Sequence, residues 1–273
     1  MSDRIGSYAI EEIAPSVYAI DDDQDESMYL IGGRDRAVMI DTGSSPEPLM
    51  PVIRTLYPGP VDLVLTHAHF DHMYHCDEFS GISLHQADIS SWDRVLKYIV
   101  WISSAGSGKK PKRYPVRSFT ALREGDRISL GDKELEVIHA KGHTPGSVIL
   151  VDKADRILFT GDAYGSGDYA WMWMPGCSCL SEYRESLDRL AAKLLPYRDY
   201  RMLGGHRRQG IPSASNPGAK PLTYQTLLDM ATLCERILSG QEQPESVERN
   251  FGIKNYVYRY GDAGIVLTRG KIR

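Results

Sequence analysis

A short loop rich in histidine constrains the fold of this chain more than any other feature. Residues 67–72 read His-Ala-His-Phe-Asp-His and follow an apolar, β-branched run at 61–65. Such a run is typical of a buried strand, so the loop would present three imidazoles and a carboxylate at the edge of a sheet. Imidazole and carboxylate are ordinary zinc ligands, and the lack of cysteine in the loop argues against a closed structural zinc site. The loop therefore predicts a metal centre.

The spacing within this loop suggests ligands for two adjacent metals. Side chains alternate along an extended segment, so His67 and His69 are expected to point to the same side. Asp71 and His72 follow where the chain turns, and they should face a slightly different point. The plain alternative is a loop whose histidines only cap backbone groups. Three histidines and an aspartate at this spacing favour metal binding.

The same arrangement, a predicted strand followed by a turn with a polar residue, recurs at four other places. The strands are expected at 38–40, 134–139 and 156–159, with a short apolar run ending at Leu203. Turns rich in glycine follow each of them. The polar residues in these turns are Asp41, His143, Asp162 and His206.

Together the five motifs resemble those of the metallo-β-lactamase-fold superfamily of hydrolases, including its glyoxalase II and lactonase members. They occur in the family's order between about residues 28 and 206. The resemblance implies an α/β fold, a four-layer αβ/βα sandwich with the metal site at one edge of the sandwich. It also implies a role for each polar residue: His67, His69 and His143 for a first metal, Asp71, His72 and His206 for a second, Asp162 as the bridge, and Asp41 as a residue that holds the loop.

The ligand types favour zinc, at two ions per chain, with iron and manganese as the alternatives. A site of histidines with one bridging carboxylate suits zinc, although imidazole also binds iron. Flavodiiron members of this fold have glutamate where this chain has His69. Zinc has no redox chemistry, so it implies hydrolysis, and coordination lowers the pKa of a bound water towards about 7.

The expected activity is hydrolysis of a small molecule with an ester, lactone, thioester or amide bond, through a metal-bound hydroxide. Asp71 would bind metal and orient the hydroxide. Tyr164 would hold the substrate carbonyl, as a tyrosine does in similar lactonases, although it lies two residues after Asp162 rather than three. A phosphodiesterase is the alternative enzyme, because two metals also suit in-line displacement. A metal-containing binding protein without turnover is the alternative outside enzymes.

The segment after Asp162 is the expected source of substrate contacts. It contains the run Trp171-Met172-Trp173-Met174, whose two tryptophans could line an apolar pocket. Packing or a subunit interface is the alternative, since aromatic residues and methionine are enriched there too. His75 and Cys76, just after the ligand loop, are expected to be structural.

Composition fits a compact enzyme. Ligands spread over 67–206 need nearly the whole chain, so residues 1–273 are expected to form a single domain. The net charge of −4 gives no basic footprint for nucleic acid.

We find neither an apolar run of about 20 residues nor a secretory signal, and the cysteines suggest reduced thiols. We expect a cytoplasmic protein with a small-molecule substrate and no nucleic-acid or membrane partner. Assembly of copies into a homo-oligomer is compatible with this expectation.

Periodicity and turn signals also predict individual elements. A hairpin is expected near the end of the chain, at 256–260 and 265–268, around Gly261-Asp262. Further strands are expected at 17–20, 27–32, 37–40, 61–65, 134–139, 148–152, 157–160 and 201–203. Helices are expected at 47–57, 87–103, 180–195 and 221–239.

Overall fold

Two sheets packed face to face form the centre of the protein. The computed structural model describes residues 3–93, 95–97, 118–165, 167–213 and 216–273. The first sheet has eight strands in sequence order. They are β1 (Asp3–Ile5), β2 (Tyr8–Ala14), β3 (Val17–Asp21), β4 (Ser27–Gly32), β5 (Ala37–Ile40), β6 (Val61–Val64), β7 (Ile82–His85) and β8 (Thr120–Leu122).

The second sheet lies against the first, and a smaller third sheet lies beyond it. The strands of the second sheet are β9 (Arg127–Ser129), β10 (Glu134–His139), β11 (Val148–Asp152), β12 (Ile157–Gly161) and β14 (Arg201–Gly204), in the spatial order β14-β12-β11-β10-β9. Those of the third sheet are β13 (Ala170–Trp171), β15 (Ser246–Asn250), β16 (Ile253–Tyr260) and β17 (Ala263–Leu267), in the order β13-β17-β16-β15.

Side chains from both large sheets meet in one apolar layer. Val38 and Ile40 of β5 face this layer, as do Val137 of β10 and Leu150 of β11. Residues two apart on a strand point to the same side, so each strand contributes alternate residues. The aromatic rings of Tyr29 and Phe159, one from each sheet, lie 4.8 Å apart and join the layers.

Helices cover the outer face of each large sheet. The helices α1 (Met50–Leu56), α2 (Phe70–Met73) and α3 (Gln86–Ile89) lie on the side of the first sheet. The longer helices, here called α4 (Leu180–Leu194) and α5 (Tyr224–Leu238), pack on the second. The buried residues of α4 recur every three or four positions and form one apolar stripe. The predicted αβ/βα sandwich is therefore confirmed.

The third sheet connects the end of the chain to this sandwich. One face, including Tyr258 and Ile265, packs in the same cluster as α5. The other carries Val257 and Val266, which pack with Trp173. The predicted hairpin is confirmed as β16 and β17, and Gly261 has φ +55° at the first position of its two-residue turn.

Some elements differ from the sequence-based expectations. The last helix begins at Tyr224 rather than 221, because Thr223 caps it and its Oγ1 accepts a hydrogen bond from the Thr226 N–H at 3.0 Å. The helix expected at 87–103 begins as α3, and its part beyond residue 97 lies outside the described residues. None of the helices in the described ranges has the length and apolar character that a bilayer crossing requires.

Candidate metal centre

Seven polar side chains converge at one edge of the sandwich, where strands of both sheets end. The loop after β6 and the short helix α2 carry four of them, and turns after β10, β12 and β14 carry one each. Because these strand ends meet at the same edge, residues far apart in sequence become neighbours. The seven are His67, His69, Asp71, His72, His143, Asp162 and His206.

The seven side chains form overlapping groups that could each hold a metal ion. Ligand atoms of His67, His69 and His143 lie within 4.8 Å of one another. A second group joins His67, His72 and Asp162 at the same spacing. The remaining group is Asp71, His72 and His206. The structure thus brings together all the residues that the sequence analysis singled out as ligands.

Asp162 lies between the groups. Its Oδ2 is 3.5 Å from His143 Nε2 and 3.2 Å from His206 Nε2, while its Oδ1 is 3.6 Å from His72 Nε2. The carboxylate thus lies beside histidines of both proposed metal positions, as a bridging ligand requires. A Cβ atom on Gly205 would lie 2.5 Å from the His72 ring and 2.7 Å from Asp162 Oδ1, so glycine is needed there.

Several buried polar atoms at this edge lack hydrogen-bond partners among the described residues. They are Nε2 of His72, both ring nitrogens of His143 and Oδ1 of Asp162. Buried polar groups without partners are costly and normally rare. Cations held by imidazole nitrogens and carboxylate oxygens would satisfy Nε2 of His72, Oδ1 of Asp162 and one ring nitrogen of His143. The donor set and the unpaired atoms therefore fit a centre of two divalent metals.

The histidines of the first group are kept neutral. Burial lowers the pKa of His67 and His143 well below its ordinary value, and neighbouring imidazoles add to the effect. Burial also lowers the pKa of His69, to about 4. Protons compete with metal ions for imidazole nitrogen, so a neutral ring is ready to bind a cation.

The histidines beside the carboxylates behave in the opposite way. Burial acts to lower the pKa of His72 and His206, but the charges of Asp162 and Asp71 and the hydrogen bond to Asp162 together outweigh it and raise both. Burial likewise acts to raise the pKa of Asp162, but His206 and His72 hold it well below its usual range. Negative charge at this point therefore attracts positive charge, whether from protons or from metal ions.

Asp88 ties two ligand loops together, and the sequence analysis did not identify it. Its carboxylate accepts hydrogen bonds from Ala68 N at 3.0 Å, Thr144 Oγ1 at 2.8 Å and Gly146 N at 2.7 Å. Ala68 lies between two ligand histidines and Thr144 follows His143. A lone aspartate near the start of a helix carries no sequence signal for this role, because its partners lie 20, 56 and 58 residues away along the chain.

His75 and Cys76 lie away from the ligand atoms. Both ring nitrogens of His75 are engaged, with Nε2 2.8 Å from the Ser45 carbonyl and Nδ1 2.7 Å from Glu78 Oε1. Cys76 is buried in the apolar cluster behind the first sheet. These contacts agree with the structural roles expected for the two residues.

The carbonyl-binding role predicted for Tyr164 is wrong. Its side chain is fully buried in the cluster between the second sheet and α4, and its hydroxyl lies 3.1 Å from the Met202 sulfur. The chain enters this core immediately after Asp162, where Gly161 adopts a left-handed φ of +48°. Tyr164 therefore packs in the core and does not face a substrate carbonyl.

A cleft of about 440 Å³ opens over the seven side chains. His69, Asp71, Asp162 and His206 line its base, and Trp171 lines its wall. Trp173, only 4% exposed, does not reach the cleft. Its ring packs behind that of Trp171, with the ring centroids 5.9 Å apart. The predicted direct contact of Trp173 with substrate is therefore also wrong.

Comparison with known proteins identifies similar chains. The family model described as the metallo-beta-lactamase superfamily matches residues 21–206. Acyl-coenzyme A thioesterase MBLAC2 of Gallus gallus is 32% identical over 215 residues, which cover 68% of this chain and 76% of that protein. Hydroxyacylglutathione hydrolase GloC of Haemophilus influenzae is 25% identical over 203 residues, covering 66% of this chain and 86% of that one.

A solved structure, TTHA1623 in a di-iron-bound form, is similar at 28% identity and a TM-score of 0.52. The match covers 66% of this chain and 87% of that one. The region matched by the family model contains all seven converging side chains and ends at His206. Strands β15 and β17, which border the cleft, lie outside that region.

Proposed function

This chain belongs to the metallo-beta-lactamase superfamily, and on that premise we propose that it hydrolyses thioesters at a dinuclear metal centre. The chain is a metal-dependent hydrolase, and the thioester bond is the part that we infer. The observation that supports it best is a seven-ligand centre at the base of an open cleft with an apolar wall. An acyl thioester combines a reactive carbonyl with an apolar chain, and two relatives are named for thioester substrates.

Each ligand has a role in this proposal. Zinc is the proposed metal, because histidine nitrogens dominate the donor set. When bound, two such ions supply Lewis acidity and make water more acidic. The ions would be held by His67, His69 and His143 on one side, by Asp71, His72 and His206 on the other, and by Asp162 between them.

Asp71 is the acidic ligand best placed to act on water. Its carboxylate is partly exposed at the cleft base, and its Oδ2 lies 3.7 Å from His72 Nε2 and 3.9 Å from His206 Nε2. The buried Asp162 is enclosed by imidazoles and serves to fix them. Asp71 can therefore accept a hydrogen bond from a water molecule and direct it towards a substrate carbonyl.

A substrate panel tests this proposal. Protein loaded with zinc, manganese or iron would be assayed on acyl thioesters, aryl esters, lactones and bis-nitrophenyl phosphate. Thioesters should give the highest kcat/KM, and Asp71→Asn should lower it while most of the metal is retained. Preference for the phosphodiester would favour the alternative enzyme. No turnover of any substrate with metal bound would favour a binding protein.

Three further expectations belong to this proposal. We infer one domain over residues 1–273, supported by the shared core of the second sheet, α4, α5 and the third sheet. All four cysteines are free thiols, which supports a cytoplasmic location. A small-molecule substrate is the proposed partner, without nucleic acid or membrane, and analytical ultracentrifugation tests whether copies assemble into a homo-oligomer.

A further inference from the structure

We propose that the cleft contains an acyl subsite, built mainly by the third sheet, that selects thioesters with a long uncharged acyl chain. The inference rests on the thioesterase function proposed above and adds a specificity to it. The subsite is defined by Trp171, Met174, Phe251 and Val266, all of which line the cleft. Two of these residues, Phe251 and Val266, lie beyond the region that the family model matches.

The apolar wall has a rigid support. Trp171 is in β13 and Val266 is in β17, and these two residues pair directly in the sheet. Trp173 lies behind them, with its ring 5.9 Å from Trp171 and 6.1 Å from Phe251. Buried aromatic packing of this kind restricts side-chain motion, so the wall is preformed rather than assembled by the ligand.

Phe251 adopts a backbone conformation that its side chain does not favour. It forms, with Gly252, the two-residue turn between β15 and β16, and the two residues have φ of +51° and +79°. Such turns prefer Asn-Gly, because a bulky residue at positive φ is strained. Strain of this kind is retained mainly at functional positions. Here it places an aromatic ring, 47% exposed, on the wall of the cleft.

The charges around the cleft disfavour an anionic acyl group. Asp25, Asp168 and Glu248 line it in addition to the carboxylates of the metal centre. Arg208 is the basic side chain among the described lining residues, and it forms an ion pair with Asp168. An acyl chain ending in a carboxylate would lose its hydration here without gaining a free cation. An uncharged apolar chain has no such cost.

The size of the cleft agrees with a long acyl chain. Ligand cavities of about 300–1,000 Å³ enclose molecules much larger than an acetyl group. The cleft of about 440 Å³ falls in this range and extends from the metal centre to Phe251. An acetyl thioester would leave the apolar wall uncovered, whereas a dodecanoyl chain would cover it.

The test compares Phe251→Asn with the wild-type protein. This change gives the turn the Asn-Gly sequence that it prefers and removes the aromatic ring, so folding should be preserved. The substrates are N-acetylcysteamine thioesters with acetyl, dodecanoyl and glutaryl groups. The wild-type protein should prefer dodecanoyl and discriminate against glutaryl. In the variant the ratio of kcat/KM for dodecanoyl to that for acetyl should fall by about tenfold, the range for lost apolar contacts.

A matched control is Val247→Thr in β15, where the side chain is 50% exposed and outside the cleft lining. Its dodecanoyl-to-acetyl ratio should equal that of the wild type. Binding can be followed without turnover from the tryptophan fluorescence on addition of S-dodecyl-N-acetylcysteamine, a thioether. This change in fluorescence should weaken in Phe251→Asn.

Two outcomes separate the subsite from the proposed function. Hydrolysis of thioesters without a dodecanoyl preference, or with a preference that Phe251→Asn leaves intact, would overturn the subsite alone. Failure to hydrolyse any thioester, in protein that binds metal, would overturn the thioesterase proposal and the subsite with it.

Discussion

The carboxylate of Asp41 lies 2.9 Å from Nδ1 of His72, so a residue from the end of β5 orients an imidazole on α2. Thr66 fixes the same carboxylate, because its backbone N–H and its hydroxyl each donate to Asp41 at 2.7 Å. Asp41 itself has a left-handed φ of +60°. The hydrogen bonds hold this unfavourable conformation, and Nε2 of His72 is thereby directed towards Asp162 and Asp71.

Replacement of Asp41 should weaken one metal site more than the other. Asp41→Asn removes the charge that orients His72, and the loss of such a partner typically lowers metal affinity about 10–100-fold. Competitive titration with a chromophoric chelator should show a weakened step for the metal held by Asp71, His72 and His206. The exposed Asp23→Asn is the control. Equal weakening of both steps would contradict this role.

Asp162 and His206 should differ in how many ions their loss removes. Asp162→Ala removes a carboxylate near both groups, so metal content should fall from about two ions per chain towards none. His206→Ala should release mainly the second ion. Elemental analysis of protein purified without chelators measures this difference. A near-zero metal content in the wild-type protein, unchanged after zinc, manganese or iron is added, would exclude the dinuclear centre.

His75 should matter for stability and not for metal content. His75→Ala removes the ring that pairs with the Ser45 carbonyl and with the Glu78 carboxylate, although Glu78 still accepts from the Leu49 and Met50 N–H groups. The loss should lower the free energy of unfolding by about 1–3 kcal/mol. Urea denaturation and metal analysis, with His72→Ala alongside, test both parts. Metal loss in the His75 variant equal to that in the His72 variant would show that the assignment of roles is wrong.

Tyr164→Phe should leave catalysis almost unchanged. The hydroxyl contacts the Met202 sulfur in the core, so kcat/KM should stay within about twofold of the wild type. Tyr164→Ala should instead lower the free energy of unfolding by about 3–5 kcal/mol through the cavity that it creates. Steady-state kinetics and denaturation of both variants provide the measurement. A large loss of kcat in Tyr164→Phe would restore the carbonyl-binding role.

His85 should make the protein less stable in acid. Its ring stacks on His139 at 4.1 Å, and burial together with His139 lowers its pKa to about 4. The folded state thus takes up a proton less readily than the unfolded state. The contribution of this group to stability is fully present above pH 6.5 and is lost as the pH falls from 6.5 to about 4.

His85→Asn is the variant that tests this pH dependence. Asparagine can still cap α3, as His85 does by accepting a hydrogen bond from Ala87 N, but it does not titrate. The difference in the free energy of unfolding between variant and wild type should therefore change between pH 7 and pH 4.5 in favour of the variant. A difference that is constant with pH would contradict the prediction.

The sequence determined the elements that depend on local patterns. Continuous apolar runs indicated strands such as β4, β5 and β11, and the Gly261-Asp262 turn indicated the final hairpin. It also indicated which loops carry the polar residues, because each of these loops follows a predicted strand. Short edge strands such as β1 and β9 have too few apolar residues to give such a pattern, so only pairing with a neighbour defines them.

Tertiary structure alone decided where several side chains point. Trp171 and Trp173 are two residues apart in the same run, yet Trp171 lines the cleft, whereas Trp173 packs behind it against Val257 and Val266 of the third sheet. Tyr164 packs in the core against residues of α4. Asp88 connects two ligand loops by hydrogen bonds because β7 ends beside them. Local sequence sets the type of each element, but the direction of a side chain after a turn depends on which distant surface packs against it.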